Sequence, residues 1–243
     1  MREPRVLVDA PLSPGARVAL PEAAMRHLVQ VLRMTTGARV RVFDGRGTEV
    51  AAQLEVAGRR EASVVVLETL AAAPEPALAV TLAQAVSKGE RMDYTLQKAV
   101  ELGVTAIQPL VSSRSVVRLD AERQERKLEH WAGVIVSACE QCGRATLPVL
   151  HPLKSLEAWL AEPPGADLRL TLDPLAARGL RDLALTRAVT LLVGPEGGLS
   201  PEEIAASTAR GFEGVRLGPR VLRTETAGVA ALAALQALWG DLG

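Results

Sequence analysis

The sequence predicts two folds in tandem: a small β-barrel, closed or half-closed, followed by an α/β domain with a parallel sheet. Three observations predict this. The first seventy residues hold five short strand-like runs and one helical run. The segment 71–77 carries Pro74 and Pro76 and no periodicity, as a linker does. From Leu78 onward strand-like runs alternate with helical ones, the pattern of a parallel sheet covered on both faces.

The N-terminal strands are predicted at 5–8 (RVLV), 16–20 (ARVAL), 38–44 (ARVRVFD), 48–56 (TEVAAQLEV) and 62–68 (ASVVVLE). Met25, Leu28, Val29 and Leu32 recur at helical spacing and predict one helix over 21–34. Asp44-Gly45 in FDGRGTEV marks a hairpin turn. The domains are therefore read as 1–70 and 78–243.

The second domain opens with a strand at 78–86 and a helix at 88–103, ended by Gly103 as C-cap. A strand follows at 104–111, then a long helix at 120–142 and a short one at 155–162. Strands at 167–172 and 188–194 precede a helix at 200–211, with Ser200 as N-cap, Pro201 at the first position and Glu203 closing a capping box. A brief strand at 215–218 and a final helix at 224–240 complete the chain.

Composition narrows the classes. The 243 residues carry no net formal charge, so any nucleic-acid surface must be local. Arginine outnumbers lysine 24 to 4, and arginine grips phosphate bidentately where lysine cannot. No run of eighteen apolar residues is present, and the start MREPRVLVDA lacks the apolar centre of a signal peptide. Two cysteines give no disulfide framework, and the cytosol is the expected compartment. Cys139 and Cys142 form a single CxxC without two further ligands at a zinc spacing, so no metal is expected.

In an open α/β sheet, ligands sit beyond the carboxyl ends of the strands. Two such ends are unusual here, VGPEGGLS (193–200) and LGPRVLRTETAG (217–228). Glycines and prolines at successive strand ends expose backbone groups to a ligand. The patterns GxxxxGK[ST] and GxGxxG are both absent, which argues against nucleoside triphosphates and dinucleotides.

These residues carry a resemblance. GPEGGLSPEE followed by LGPRVLRTETA resembles the bacterial ribosomal RNA methyltransferases that modify N3 of a uridine in 16S rRNA of the small subunit. That family belongs to the SPOUT superfamily, which binds S-adenosyl-L-methionine in a trefoil knot. KGERMDYTLQKAVELGV, IQPLVSSRSV and ACEQCGRATLPVL resemble further family motifs, and HLVQVLRMTTGARVRVFDG resembles its PUA-like RNA-binding domain. The resemblance covers nearly the whole chain. It implies a knot across 191–227 enclosing the cofactor, which periodicity alone does not indicate. It also implies a homodimer, for which Val229, Leu232, Leu235 and Leu238 of the last helix offer an apolar face. The alternative for that face is burial in the helix's own core.

The expected cofactor residues are Leu172, Val193, Gly194, Pro195, Glu196, Gly197, Gly198, Leu217, Gly218, Val221, Leu222, Thr224 and Ala227. Leu217, Val221 and Leu222 are placed to sandwich the adenine. Methyl transfer to N3 asks for removal of a proton and for charge stabilisation at O2 or O4. The candidates are Arg114, Arg144 and Arg223 for the oxygens or phosphates, and Glu225 or Glu140 for the base. Glu225 has a second reading, as an acid complementing the dipole of the last helix. Arg26, His27, Arg33, Arg46, Lys88 and Arg91 are candidate RNA contacts. Two rival functions remain: ribose 2′-O methylation on the same fold, and RNA binding without chemistry.

Overall fold

The computed structural model describes residues 3–58, 61–115, 121–162 and 165–242. The chain divides into two compact units, 1–75 with 136–147, and 76–135 with 148–243. The predicted long helix begins at Asp120, and SSRSV ends at Val116; both lie outside the described residues.

In the first unit, β1 (Arg5–Leu7), β2 (Arg17–Ala19), β3 (Arg39–Phe43), β4 (Glu49–Val56) and β5 (Ala62–Leu70) form one sheet in the order β1-β3-β4-β5-β2. β1 runs parallel to β3, and every other pairing is antiparallel. The sheet is a half-barrel with free edges at β1 and β2. Its inward positions, Val6, Val40, Val42, Val50, Leu54 and Val64, are fully buried with Leu28. Asp44 closes the β3–β4 hairpin by accepting the amides of Arg46 and Thr48. Burial pushes the Asp44 carboxyl up, but those hydrogen bonds prevail and hold it below its ordinary value.

The predicted helix at 21–34 is corrected in two ways. It is α-helical only over α1 (Glu22–Met25), then π-helical over Arg26–Val31, and it stops before Arg33, whose φ is 54°. The wider turn keeps Met25 and Leu28 inside while Val31 and Leu32 face outward.

A buried arginine organises this unit. Arg5 donates to both oxygens of Glu49, at 3.0 and 3.4 Å, and its guanidinium lies 4.7 Å from the Phe43 ring centre. It also donates to the carbonyls of Cys139, Glu140 and Arg144, the end of the helix α3 (Ala121–Cys142) and the turn beyond. A cation there complements the negative end of the helix.

The second unit holds a seven-stranded parallel sheet. Its strands are β6 (Ala79–Ala85), β7 (Ala106–Val111), β8 (Val149–Leu150), β9 (Lys154–Ser155), β10 (Leu168–Leu172), β11 (Ala188–Val193) and β12 (Glu213–Val215). The order is β12-β10-β11-β6-β7-β8, with β9 also on β7. The strand expected at 215–218 is therefore β12, shifted towards the N-terminus, and β8 and β9 were not anticipated. The connecting helices are α2 (Arg91–Glu101), α4 (Leu156–Ala161), α5 (Pro201–Ala209) and α6 (Thr224–Trp239). Gly103 ends α2 at φ 78°, and α5 carries the Ser200–Glu203 capping box.

β6 lies between β7 and β11. The chain leaves β6 towards β7 on one side and returns to β10 and β11 on the other. The carboxyl ends of β6 and β11, paired at Gln84 and Val193, thus mark the switch point of the sheet. Leu232 and Leu235 of α6 are wholly buried, so those two belong to the unit's own core and not to an exposed face. Val229 is half-buried and Leu238 is 44% exposed. Among the described residues no helix is long and apolar enough to cross a membrane.

Candidate functional site

A cavity of about 630 Å³ opens beyond the carboxyl ends of β10, β11 and β12. That size suits a small organic ligand. All thirteen residues expected to hold a cofactor line it, from Leu172 through the glycine loop to Leu217–Ala227. Four residue groups were missed: Asp173, Pro174 and Leu175 after β10, Leu199 with Ile204, Val215 at the end of β12, and Arg220. The end of β10 neighbours the end of β11 in the sheet, and that adjacency is not encoded in local sequence.

The loop after β11 is held from three sides. Thr224 Oγ1 donates to the Gly194 carbonyl at 2.6 Å and accepts from Gln84 Nε2 at 3.0 Å. Gly228 lets α6 come this close, since a Cβ there would stand 3.1 Å from Gln84 Oε1. Arg114 Nη1 donates to the carbonyl of Gly197 at 2.8 Å, and the Ser113 amide donates to Glu203 at 2.7 Å. Glu196 accepts from the Lys88 amide at 2.9 Å and from Arg91 at 2.8 Å. Burial pushes the Glu196 carboxyl up, yet these hydrogen bonds and the Arg91 charge outweigh it and hold it low. A Cβ on Gly194 would lie 3.0 Å from the Leu199 amide nitrogen, so a side chain there would press on the backbone where the loop closes on itself.

The expected catalytic residues separate. Arg114, Arg223 and Glu225 line the cavity, and so does Arg91. Glu225 Oε1 lies 3.8 Å from Arg91 Nε, while Oε2 is buried and has no hydrogen-bond partner among the described residues. Glu140 and Arg144 belong to the first unit and are not among the lining residues. Glu140 accepts the Leu7 amide at 3.2 Å, and Arg144 pairs with Glu75 through Nε and Nη2. Both are engaged in holding the first unit together.

The candidate RNA contacts divide as well. Arg46 is paired with Asp9 and Asp44. Arg26 and His27 are exposed on the π-turn, Arg33 is exposed just after it, and Lys88 is exposed beside the glycine loop. Cys139 is buried and Cys142 half-buried. Among the described residues no group of three His, Cys, Asp or Glu is placed to hold a metal.

Residues 74–236 match the RNA methyltransferase domain family, and 20–67 match the RNA methyltransferase PUA domain. The chain belongs to the RNA methyltransferase family. Its relatives include proteins named ribosomal RNA small subunit methyltransferase E. One from Buchnera aphidicola is 31% identical over 99% of this chain and 98% of its own. One from Neisseria gonorrhoeae, solved bound to S-adenosyl methionine, is 42% identical, covers all of both chains and superposes with a TM-score of 0.95. A methyltransferase of Legionella pneumophila, solved with bound SAM, is 40% identical over both full lengths, with a TM-score of 0.96. The family assignment agrees with a half-barrel followed by a parallel sheet.

Proposed function

We propose that this chain transfers a methyl group from S-adenosylmethionine to N3 of a uridine in 16S rRNA of the small ribosomal subunit. The observation that carries the reading is the cavity. It is built from the two glycine–proline loops after β11 and β12, with the end of β10 between them, in a chain 42% identical over its whole length to a methyltransferase solved with that cofactor.

The residues fit such a donor. Leu217, Val221 and Leu222 give an apolar bed for a planar base, and the 194–198 backbone offers peptide groups to its edge. Glu196 supplies negative charge to a ligand bearing a sulfonium and an ammonium. When bound, the donor supplies an electrophilic methyl carbon on sulfur, and the protein supplies position and electrostatics. Arg114, anchored to the loop carbonyls, positions the loop. Arg223 and Arg220 line the cavity with exposed side chains and are assigned to meet phosphate or uracil oxygens. We further assign RNA capture to Arg26, His27, Arg33 and Lys88, a trefoil knot to 191–227, and the PUA-like and methyltransferase domains to 1–70 and 78–243. A homodimer through the outward side of α6, with Val229 and Leu238, and a cytoplasmic location complete the reading.

Incubation with labelled S-adenosylmethionine and small subunits lacking native modifications, followed by nucleoside mass spectrometry, tests it. The expected product is 3-methyluridine. Gly197→Trp should abolish it, since Gly197 lines the cavity and a Cβ there already meets the Arg114 side chain at 3.4 Å. A 2′-O-methyl nucleoside would keep the fold and replace the chemistry. No transfer and no cofactor binding would leave an RNA-binding protein.

A further inference from the structure

N3 of uracil must lose a proton to become a nucleophile, and three carboxylates line the cavity: Asp173, Glu196 and Glu225. Asp173 Oδ1 accepts the Leu175 amide at 2.9 Å and closes a turn. Glu196 is bound by the Lys88 amide and Arg91. Glu225 differs: one oxygen faces Arg91, and the other is shut from solvent with no donor among the described residues. A place in the first turn of a helix accounts for a negative charge there, but not for a buried oxygen left unpaired. Glu140, the other candidate, spends an oxygen on the Leu7 amide and does not line the cavity.

We propose that Glu225 is the catalytic residue that accepts the N3 proton on its carboxylate, and that Arg91 is the positioning residue that holds it. This rests on the methyltransferase reading above. The N3–H bond breaks and its electron pair stays on N3. The proton forms an O–H bond on the Glu225 carboxylate, and the resulting neutral carboxyl releases it to water once the product has left. N3 keeps the pair that receives the methyl group. Arg91 reaches Glu196 with Nη1 and Glu225 with Nε, so a single guanidinium sets the carboxylate against the glycine loop.

The test is Glu225→Gln, measured in three ways. Calorimetry without RNA should show unaltered S-adenosylmethionine binding, which also reports that the variant is folded. Methylation of subunits at neutral pH should fall about a hundredfold or more. That loss should shrink as pH rises, because the substrate deprotonates itself, and on subunits carrying 5-fluorouridine, whose N3 is more acidic. Glu225→Asp, which keeps an acid, and Arg91→Ala, which keeps the base, should be slower but retain the wild-type pH profile. Arg91→Lys should recover part of the Arg91→Ala loss. Three results overturn the proposal: a Glu225→Gln rate equal to wild type, a loss that alkaline pH and fluorouridine leave unchanged, or a loss matched by lost cofactor binding. A wild-type enzyme that makes no 3-methyluridine would instead remove the parent reading.

Discussion

The Thr224 hydroxyl donates to the carbonyl of Gly194 at 2.6 Å, thirty residues away in sequence. Its proton has only that direction open, because Gln84 Nε2 already donates to the same oxygen at 3.0 Å. A fully buried glutamine on β6 thereby orients a threonine at the start of α6, and the threonine fixes the first carbonyl of the glycine loop.

Thr224→Val removes this relay at nearly constant volume. It leaves the Gly194 carbonyl without its partner and Gln84 with only the Ala85 carbonyl. We expect a stability loss of about 1–3 kcal/mol. Weaker S-adenosylmethionine binding should accompany it, and Thr224→Ser should restore both. Urea unfolding and calorimetry on the three proteins check this. A valine variant indistinguishable from wild type would mean the relay orients nothing.

The glycine loop makes a sharper demand. In Gly194→Ala the new Cβ meets the Leu199 nitrogen at 3.0 Å and Leu199 Cγ at 3.1 Å, so backbone must move. The expected result is cofactor affinity weakened about tenfold or more, some 1.4 kcal/mol, with the secondary structure intact. Calorimetry with circular dichroism decides, and unchanged affinity would show that the loop adapts at no cost.

Those two loops were legible in the sequence because they depend on local chemistry. Gly-Pro turns, a Ser-Pro-x-Glu helix start and a glycine helix stop each announce their own conformation. The unread parts depend on long-range pairing. Asp173–Leu175 joined the cavity only because β10 lies beside β11. Arg144 is one of 24 arginines by sequence, and nothing local ties it to Glu75. The π-turn at Arg26–Val31 has the same apolar spacing as an α-helix, so periodicity cannot tell them apart until the backbone is traced. Leu232 and Leu235 are apolar whether they face a partner or their own core, and burial alone separated the two readings.

The Arg5–Glu49 pair is the main electrostatic commitment of the first unit. Both side chains are more than nine-tenths buried. Glu49→Gln leaves the Arg5 charge with carbonyl acceptors only, and breaking a buried pair in this way costs about 3–5 kcal/mol. Thermal unfolding should register that loss. The paired replacement Arg5→Met with Glu49→Leu should recover much of it, since a buried ion pair is often no better than a packed apolar one. If the double variant is as unstable as the single, the carbonyl contacts of Arg5 to the end of α3 matter more than its charge.

Glu140 gives a prediction of opposite sign to most carboxylates. Burial pushes its carboxyl above the ordinary glutamate value of 4.5, and the Leu7 amide, His27 and Arg5 only partly offset this. An acid with a raised folded pKa destabilises the fold when ionised. The cost is present in full above the folded pKa and fades as pH falls through it towards 4.5. Glu140→Gln keeps an oxygen for the Leu7 amide and removes the charge. At pH 7 the variant should therefore match or exceed wild type in urea unfolding, and its advantage should shrink steadily on acidification below the raised pKa. A variant clearly less stable at pH 7, with a gap that widens as pH rises, would show that the Glu140 carboxylate is favoured by the fold, and the burial argument would fail.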